Sequence, residues 1–261
     1  KQDHAYDVEV KGDLAFVADG GNGLTIYDLT KDPTDMNSGF FVGNIGGETQ
    51  TRPPLGRSTG VALWTDPVSG TDYAFMAAGP YGVGVVDVSD PALPVLVKRF
   101  EPIKMEDLKV GKADGRCVDV FVMGDHAYFT YDAFGVICYL IDDLVEPLPP
   151  GVDPTLIWKV QNGVVLFDYR PETLGEFRLR EKVGYQDWGG GAFNMAHTEV
   201  NGEPVLYVAY ADAGVVKIRW TDPANPVLEA VLPTAGECTA IALSGGRLYA
   251  ADGGGGLIFF K

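Results

Sequence analysis

The chain has 261 residues, with 36 acidic against 20 basic side chains, a formal net charge of −16 and a pI near 4.4. That surplus of carboxylates argues against nucleic acid or an anionic membrane as partner, because both are held by Lys and Arg. No apolar run reaches the roughly 18 residues a spanning helix needs, so direct membrane insertion is not expected.

In chain order the first predicted element is a strand over Asp7 to Val10. A hairpin follows: Ala15 to Ala18, a turn ending at Gly23, and Leu24 to Tyr27. Short apolar runs flanking a Gly-containing turn are hairpin chemistry. The same order returns as Val61 to Trp64, Ala74 to Ala77, a turn ending at Gly82, and Val83 to Val86. Here the copy is complete, with Asp87, an Asp90-Pro91 turn and a fourth strand over Val95 to Phe100. Pro ends a strand at such a turn without taking a donor from a central ladder. The unit is therefore four antiparallel strands.

The third copy begins with Val118 to Val122 and turns at Met123 to His126. Two segments compete for its third strand, Gly135 to Ile141 and Gly163 to Asp168. In other copies an Asp lies four residues past the first aliphatic residue, as in Leu24 to Asp28 and Val83 to Asp87. Val164 to Asp168 keeps that spacing and leads to Arg170-Pro171 and an outer strand over Glu176 to Leu179. Residues 133–162 are accordingly expected to be an insertion in the turn between the second and third strands. The fourth copy has Met195 to Thr198, Leu206 to Ala209 and a turn ending at Gly214; the fifth has Ala240 to Leu243, Leu248 to Ala251 and a turn ending at Gly256. The fifth stops after its third strand. Either that unit has three strands, or the chain is a piece of a longer polypeptide.

Copies spaced by roughly 40 to 65 residues build a stacked or closed array. Continuous apolar runs such as Ala74 to Ala78 and Val205 to Ala211 mean sheets covered on both faces. The expected fold class is all-β: a β-propeller of about five four-stranded blades, forming one domain over residues 1–261, with the last blade short of a strand and an insertion in the third. A parallel β-solenoid is the competing architecture, with a shorter period and no tight hairpins.

The segments GDLAFVADGGNGLTIYDLTKDP (Gly12 to Pro33) and YAFMAAGPYGVGVVDVSDPALPVLV (Tyr73 to Val97) resemble the LVIVD repeat family. The fourth copy is similar, with Arg219 where the family has Asp. The resemblance implies a propeller in an exported bacterial or archaeal protein, periplasmic or at the cell surface. It carries no shared catalytic motif. The opening Lys-Gln-Asp-His, without Met or signal peptide, reads as a processed mature chain.

In a propeller the turns between second and third strands share one face with the entries into first strands. That face is expected to gather Asp19, Tyr81, Tyr131, Tyr210 and Asp252 from the turns with Arg57, Arg116 and Glu237 from the entries, as an axial ligand-binding rim. Trp188, in the loop from Tyr185 to Ala192, is a further rim candidate. Asp before Gly also serves its own turn by accepting hydrogen bonds from loop amides. No catalytic residue is assigned. No metal and no cofactor are expected, because His4, His126 and His197 lack ligand spacing and each glycine-rich turn holds one acid. Cys117, Cys138 and Cys238 are read as small buried residues and not as a disulfide framework. The insertion combines apolar side chains with a Pro-rich stretch, and Leu140, Leu144, Leu156 and Trp158 are its candidate partner-binding residues. The function expected is a non-catalytic protein-interaction module that docks to another protein or serves in a larger assembly. The alternative is an enzyme or small-ligand receptor, such as a glycoside hydrolase, using the axial pocket.

Overall fold

The computed structural model of the chain describes residues 4–35, 37–46, 53–102, 116–132, 135–161, 164–179 and 191–260. Two compact units form, Lys1–Asp125 with Ile141–Glu172, and His126–Leu140 with Thr173–Lys261. Strands β1 (Asp7–Lys11), β2 (Leu14–Ala18), β3 (Leu24–Asp28) and β4 (Phe41–Ile45) make the first antiparallel sheet in chain order. Strands β5 (Gly60–Thr65), β6 (Asp72–Ala77), β7 (Val83–Asp87) and β8 (Val95–Phe100) make the second. A third four-stranded sheet combines β9 (Cys117–Met123), β10 (His126–Tyr131) and β11 (Gly135–Leu140) with a later outer strand. After β11 come a short helix, α1 (Ile141–Val145), and a two-stranded ribbon of β12 (Trp158–Gln161) and β13 (Val164–Asp168). The outer strand of the third sheet is β14 (Gly175–Phe177). Strands β15 (Met195–Val200), β16 (Glu203–Ala209), β17 (Val215–Arg219) and β18 (Val227–Leu232) make the fourth sheet; β19 (Ala240–Ser244), β20 (Arg247–Ala251) and β21 (Leu257–Phe260) make a three-stranded fifth. No described helix is long and apolar enough to cross a membrane.

One backbone device recurs in the turns between second and third strands. The residue before the turn donates its N–H to the carbonyl of the closing glycine at 2.8 Å, from Asp19 to Gly23, Ala78 to Gly82, Tyr210 to Gly214 and Asp252 to Gly256. The next residue is left-handed: Gly20, Gly79, Asp132, Ala211 and Gly253 have φ of 49°, 56°, 30°, 42° and 47°. That residue also makes a two-residue bridge to the entry of the following repeat, Gly20 with Ser58 and Gly79 with Cys117 in the first unit, Ala211 with Cys238 in the second. The turn therefore closes a hairpin and ties its sheet to the next.

The third copy corrects the expected boundaries. The strand that pairs with β10 is β11, from Tyr131 opposite Gly135 to His126 opposite Leu140, and β14 pairs with β11 through Val136 opposite Phe177. Gly135, at φ 81°, stands where Gly23 and Gly82 stand at 80° and 82°. Val164–Asp168 is not the third strand but half of the ribbon, paired with β12. The excursion thus runs over residues 141–174, between third and fourth strands, and not over 133–162; residues 133 and 162, the expected limits, lie outside the described residues. The Asp spacing misled because that Asp serves the exit turn. Asp28 accepts from the Thr30 N–H and hydroxyl, and Asp87 accepts from the Ser89 N–H. In the third copy α1 replaces the exit turn, so the mark is absent from β11 and stands instead at the end of the ribbon, where Asp168 accepts from the Arg170 N–H.

Cross-strand register puts alternate residues on the two faces of each sheet, and apolar side chains occupy both. In the first unit Phe16, Ala18, Leu24 and Ile26 of the first sheet pack against Val61, Ala74 and Met76 of the second. In the second unit Ala209 and Val215 of the fourth sheet pack against Ile241, Leu248 and Ala250 of the fifth. Trp220 is fully buried, edge-on to Tyr128 at 5.3 Å, and its indole N–H donates to the Pro223 carbonyl at 3.0 Å. All three cysteines are buried, and none of them is in a disulfide. Burial and then the charge of Asp252 push the Cys238 thiol up to about 11.

The excursion packs on the outer strand of the second sheet. The Arg99 N–H donates to the Pro154 carbonyl at 2.8 Å, so β8 is not a bare edge here. Lys98, 3% exposed, donates from its ammonium to the carbonyl of Asp143 in the middle of α1 at 3.1 Å. Ile141, Leu144 and Ile157 are fully buried beneath it.

Candidate functional site

In the first unit the Asp19 carboxylate lies in its turn and accepts from Asn22 Nδ2 and Thr25 Oγ1, both at 3.1 Å. Arg57 and Arg116 are exposed at the entries to β5 and β9. In the second unit Tyr131 and Tyr210 are buried, 1% and 5% exposed, and Glu237 is exposed. Asp252 is fully buried, and its Oδ2 accepts from the Gly236 N–H at 2.7 Å. The Asp19 carboxylate is thus spent on its own turn, as Asp in a tight glycine turn is expected to be, whereas Asp252 uses only Oδ2 and its buried Oδ1 accepts no hydrogen bond from a described residue. Trp188 lies outside the described residues. Among the described residues no group of three or more His, Cys, Asp or Glu side chains is placed to hold a metal ion.

Three predicted residues do meet. Tyr81 from the second turn, with Leu156 and Trp158 from the excursion, lines a pocket of 210 Å³ together with Arg99, Glu101 and Ile157. Arg99 is the keystone. Its guanidinium lies over the Tyr81 ring at 4.9 Å and donates to the carbonyls of Pro53 at 2.9 Å and Thr155 at 3.1 Å. Arg170 covers the Trp158 ring at 4.3 Å and binds Asp168 through Nε at 2.8 Å and Nη2 at 2.6 Å. A planar guanidinium stacked on an aromatic face and forked onto oxygens is well suited to such a joint. Burial raises the pKa of Glu101, and the charges of Arg99 and Arg170 pull it part of the way back.

Beside it a second hollow of 240 Å³ is lined by Lys98, Asp143, Glu146, Tyr169, Arg170 and Glu172. Burial lowers the Lys98 pKa, against the opposing charges of Glu146 and Asp143. Both volumes fall below the roughly 300 to 1,000 Å³ of small-molecule sites. Their polar groups point at the excursion's own carbonyls and carboxylates, so they cement the excursion to β8. Arg99, Glu101 and Arg170 were not legible as partners in the sequence, since nothing local joins positions some 55 residues apart.

The rest of the excursion is open. In β13, Val164, Val165 and Leu166 are 60%, 49% and 52% exposed, and Tyr169 just beyond is 42% exposed. Of the residues expected to bind a partner, Leu144 is buried and offers no surface, while Leu140, Leu156 and Trp158 are half-buried. The apolar surface lies one strand further on, in the Val-Val-Leu run whose spacing to Asp168 predicts a third strand.

The LVIVD repeat model matches residues 3–41, 67–101 and 235–259, so the chain carries LVIVD repeats at its first, second and fifth sheets. Among solved structures, BBS1N in complex with ARL6DN is similar at TM-score 0.55 and 11% identity, over 94% of this chain and 56% of that one. The extracellular domain of a hybrid two-component system from B. thetaiotaomicron is similar at TM-score 0.52 and 10% identity, over 98% of this chain and 26% of that one. At such identities the likeness is one of fold. Comparison with curated proteins gives no match.

Proposed function

We propose that this chain of LVIVD repeats is a propeller-type interaction module of about five blades, exported to the periplasm or cell surface, that docks a partner protein through the ribbon on its second sheet. The observation that carries the reading is β13, where three consecutive apolar residues are each about half exposed. Alternate residues of a strand face opposite ways, so neither face of the ribbon is covered. A two-stranded ribbon is marginal alone, and this one is anchored by Arg170 on Trp158 and by Arg99 on the Pro154 and Thr155 carbonyls. A rigidly held apolar strand presents a preordered surface to a partner, which lowers the ordering cost of association. Catalysis and small-ligand binding have less support, because Asp19 is committed to its own turn and the two pockets described above are small.

The test is native mass spectrometry of the protein isolated gently from its source, beside the variant V164D/L166D. A second chain at fixed stoichiometry, lost from the variant, supports docking through the ribbon. A partner retained by the variant moves the interface elsewhere, and a preparation with no second chain sinks the obligate form of the reading.

A further inference from the structure

The pocket of 210 Å³ at the base of the ribbon is built wholly within the first unit, from Tyr81, the end of β8 and the residues that enter β12. Its cations are already spent. The Arg99 guanidinium donates to the Pro53 and Thr155 carbonyls, and that of Arg170 forks onto Asp168 and donates to the Glu101 carbonyl at 3.2 Å. The Glu101 carboxylate has no such match: it is half-buried, and no described residue donates a hydrogen bond to it. Arg99 and Arg170 act on it only through their charge, and burial outweighs them. An acceptor withdrawn from water without a donor costs stability, and a glutamine would fill the same volume without burying a charge.

What complements this pocket is a charged donor on an apolar stem. Tyr81, Leu156, Ile157 and Trp158 give it aromatic and aliphatic walls, and Lys and Arg lay their methylene stems along such surfaces while keeping the charged head on a polar group. Its volume, below that of small-molecule sites, is on the scale of one anchoring side chain. The surroundings have the matching sign. Lys98, Arg99 and Arg170 are outnumbered by Glu101, Asp168 and the carboxylates of Asp143, Glu146 and Glu172 around the adjoining hollow. The whole chain carries −16, a field that steers a basic partner inward. The position also fits, because Trp158 opens β12 and the Val160–Val165 pair lies two residues, about 7 Å, further along the ribbon.

We infer that this pocket takes a lysine or arginine side chain of the docking partner, its stem against the walls formed by Tyr81 and Trp158 and its charged head donating to the Glu101 carboxylate. The inference rests on the reading that a partner docks at the ribbon, and it names that partner's chemistry: a basic side chain next to an apolar segment that lies on β13. The apolar run supplies area and the pocket supplies selectivity, since a neutral side chain leaves Glu101 without its donor.

The test titrates N-acetyl-arginine amide, a single cation without a carboxylate, into the whole chain at neutral pH and follows the tryptophan indole N–H signals by proton–nitrogen correlation NMR. N-acetyl-citrulline amide is the neutral counterpart. The chain has four tryptophans, and the signal missing from Trp158→Phe identifies Trp158. The arginine amide is expected to shift the Trp158 signal saturably, with a dissociation constant on the order of 1–10 mM for a lone anchor. The citrulline amide on wild type, and the arginine amide on Glu101→Gln, are expected to bind at least ~10-fold more weakly, the scale of one charge-assisted hydrogen bond. Circular dichroism checks that Glu101→Gln folds as the wild type does. A Trp158 signal that stays in place, equal binding of the neutral probe, or unchanged binding to Glu101→Gln overturns the inference. The docking reading fails separately. A partner lost from V164D/L166D, with a probe that leaves Trp158 unmoved, keeps that reading and sinks the pocket; a probe that binds as expected, with a partner kept by V164D/L166D, does the reverse.

Discussion

Gly135 and Gly256 close equivalent turns in the same unit, with φ of 81° and 77°, but among the described residues only Gly135 has an outer strand beside it. A Cβ at Gly135 collides with the carbonyl oxygen of Phe177 in β14; at Gly256 nothing lies within 4 Å. Replacing each by Ala therefore separates two costs. Both variants pay for a side chain in the left-handed region, about 1–2 kcal/mol. Gly135→Ala also forces β14 away from β11, disturbing the Val136–Phe177 pair and the fully buried Phe177 ring. Displacing a buried aromatic approaches the ~3–5 kcal/mol of its deletion at most, so half of that is a reasonable share and the total is about 3–4 kcal/mol. At about 2–4 °C per kcal/mol for a chain of this length, Gly256→Ala lowers the midpoint by about 2–8 °C and Gly135→Ala by about 6–16 °C. Thermal unfolding followed by far-UV circular dichroism in dilute protein reads the difference. Equal shifts, or a larger one at Gly256, would refute both the placement of Gly135 as the third turn glycine and the account of the fifth sheet as lacking a neighbour there.

Other perturbations probe the same framework. Ala211 occupies the left-handed bridging position at φ 42°, where two other turns have Gly, so Ala211→Gly is expected to stabilise by about 0.5–1 kcal/mol in urea unfolding, the relieved strain less the added chain entropy. Burial raises the folded-state pKa of Glu101 above the ordinary 4.5, so the folded chain holds that proton longer. Its contribution is complete below the unfolded value and lost as pH rises through the folded one. Glu101→Gln should accordingly gain stability over wild type as pH climbs out of the carboxylate range, and a pH-independent difference counts against a buried carboxyl. With Cys117, Cys138 and Cys238 buried, and the Cys238 thiol near 11, Ellman's reagent at pH 8 should find no fast-reacting thiol in the native protein and three after denaturation.

The hairpins were legible because their signal is local. A turn glycine and flanking aliphatic runs sit within about a dozen residues, so β2–β3, β6–β7, β16–β17 and β20–β21 were readable directly. The third copy was not, because the Asp used to align it reports the exit turn and not the strand: Gly135, spaced from Tyr131 as Gly23 is from Asp19, was the better guide. The pocket at Tyr81 was half legible. Tyr81 and Trp158 were named for separate reasons, and what joins them is Arg99 meeting Pro154 and Thr155, a contact between distant segments that no periodicity announces.

Residue type follows repeat position in the first and fifth copies as it does in the others. Val8 is the same residue as its counterpart Val61, Leu257 the same as Leu24, and Phe259 stands where the first sheet has Ile26, so all of these copies read alike in the sequence. The turn glycines carry the same lesson. Gly23, Gly82, Gly135 and Gly214 each lie against an outer-strand carbonyl, and Gly256 keeps the same backbone shape with open space beside it among the described residues. A left-handed glycine is therefore a mark of the hairpin itself and not of the outer strand that crowds it in the other copies, because the φ is set by the turn hydrogen bond from Asp252 to Gly256 that the fifth copy also makes.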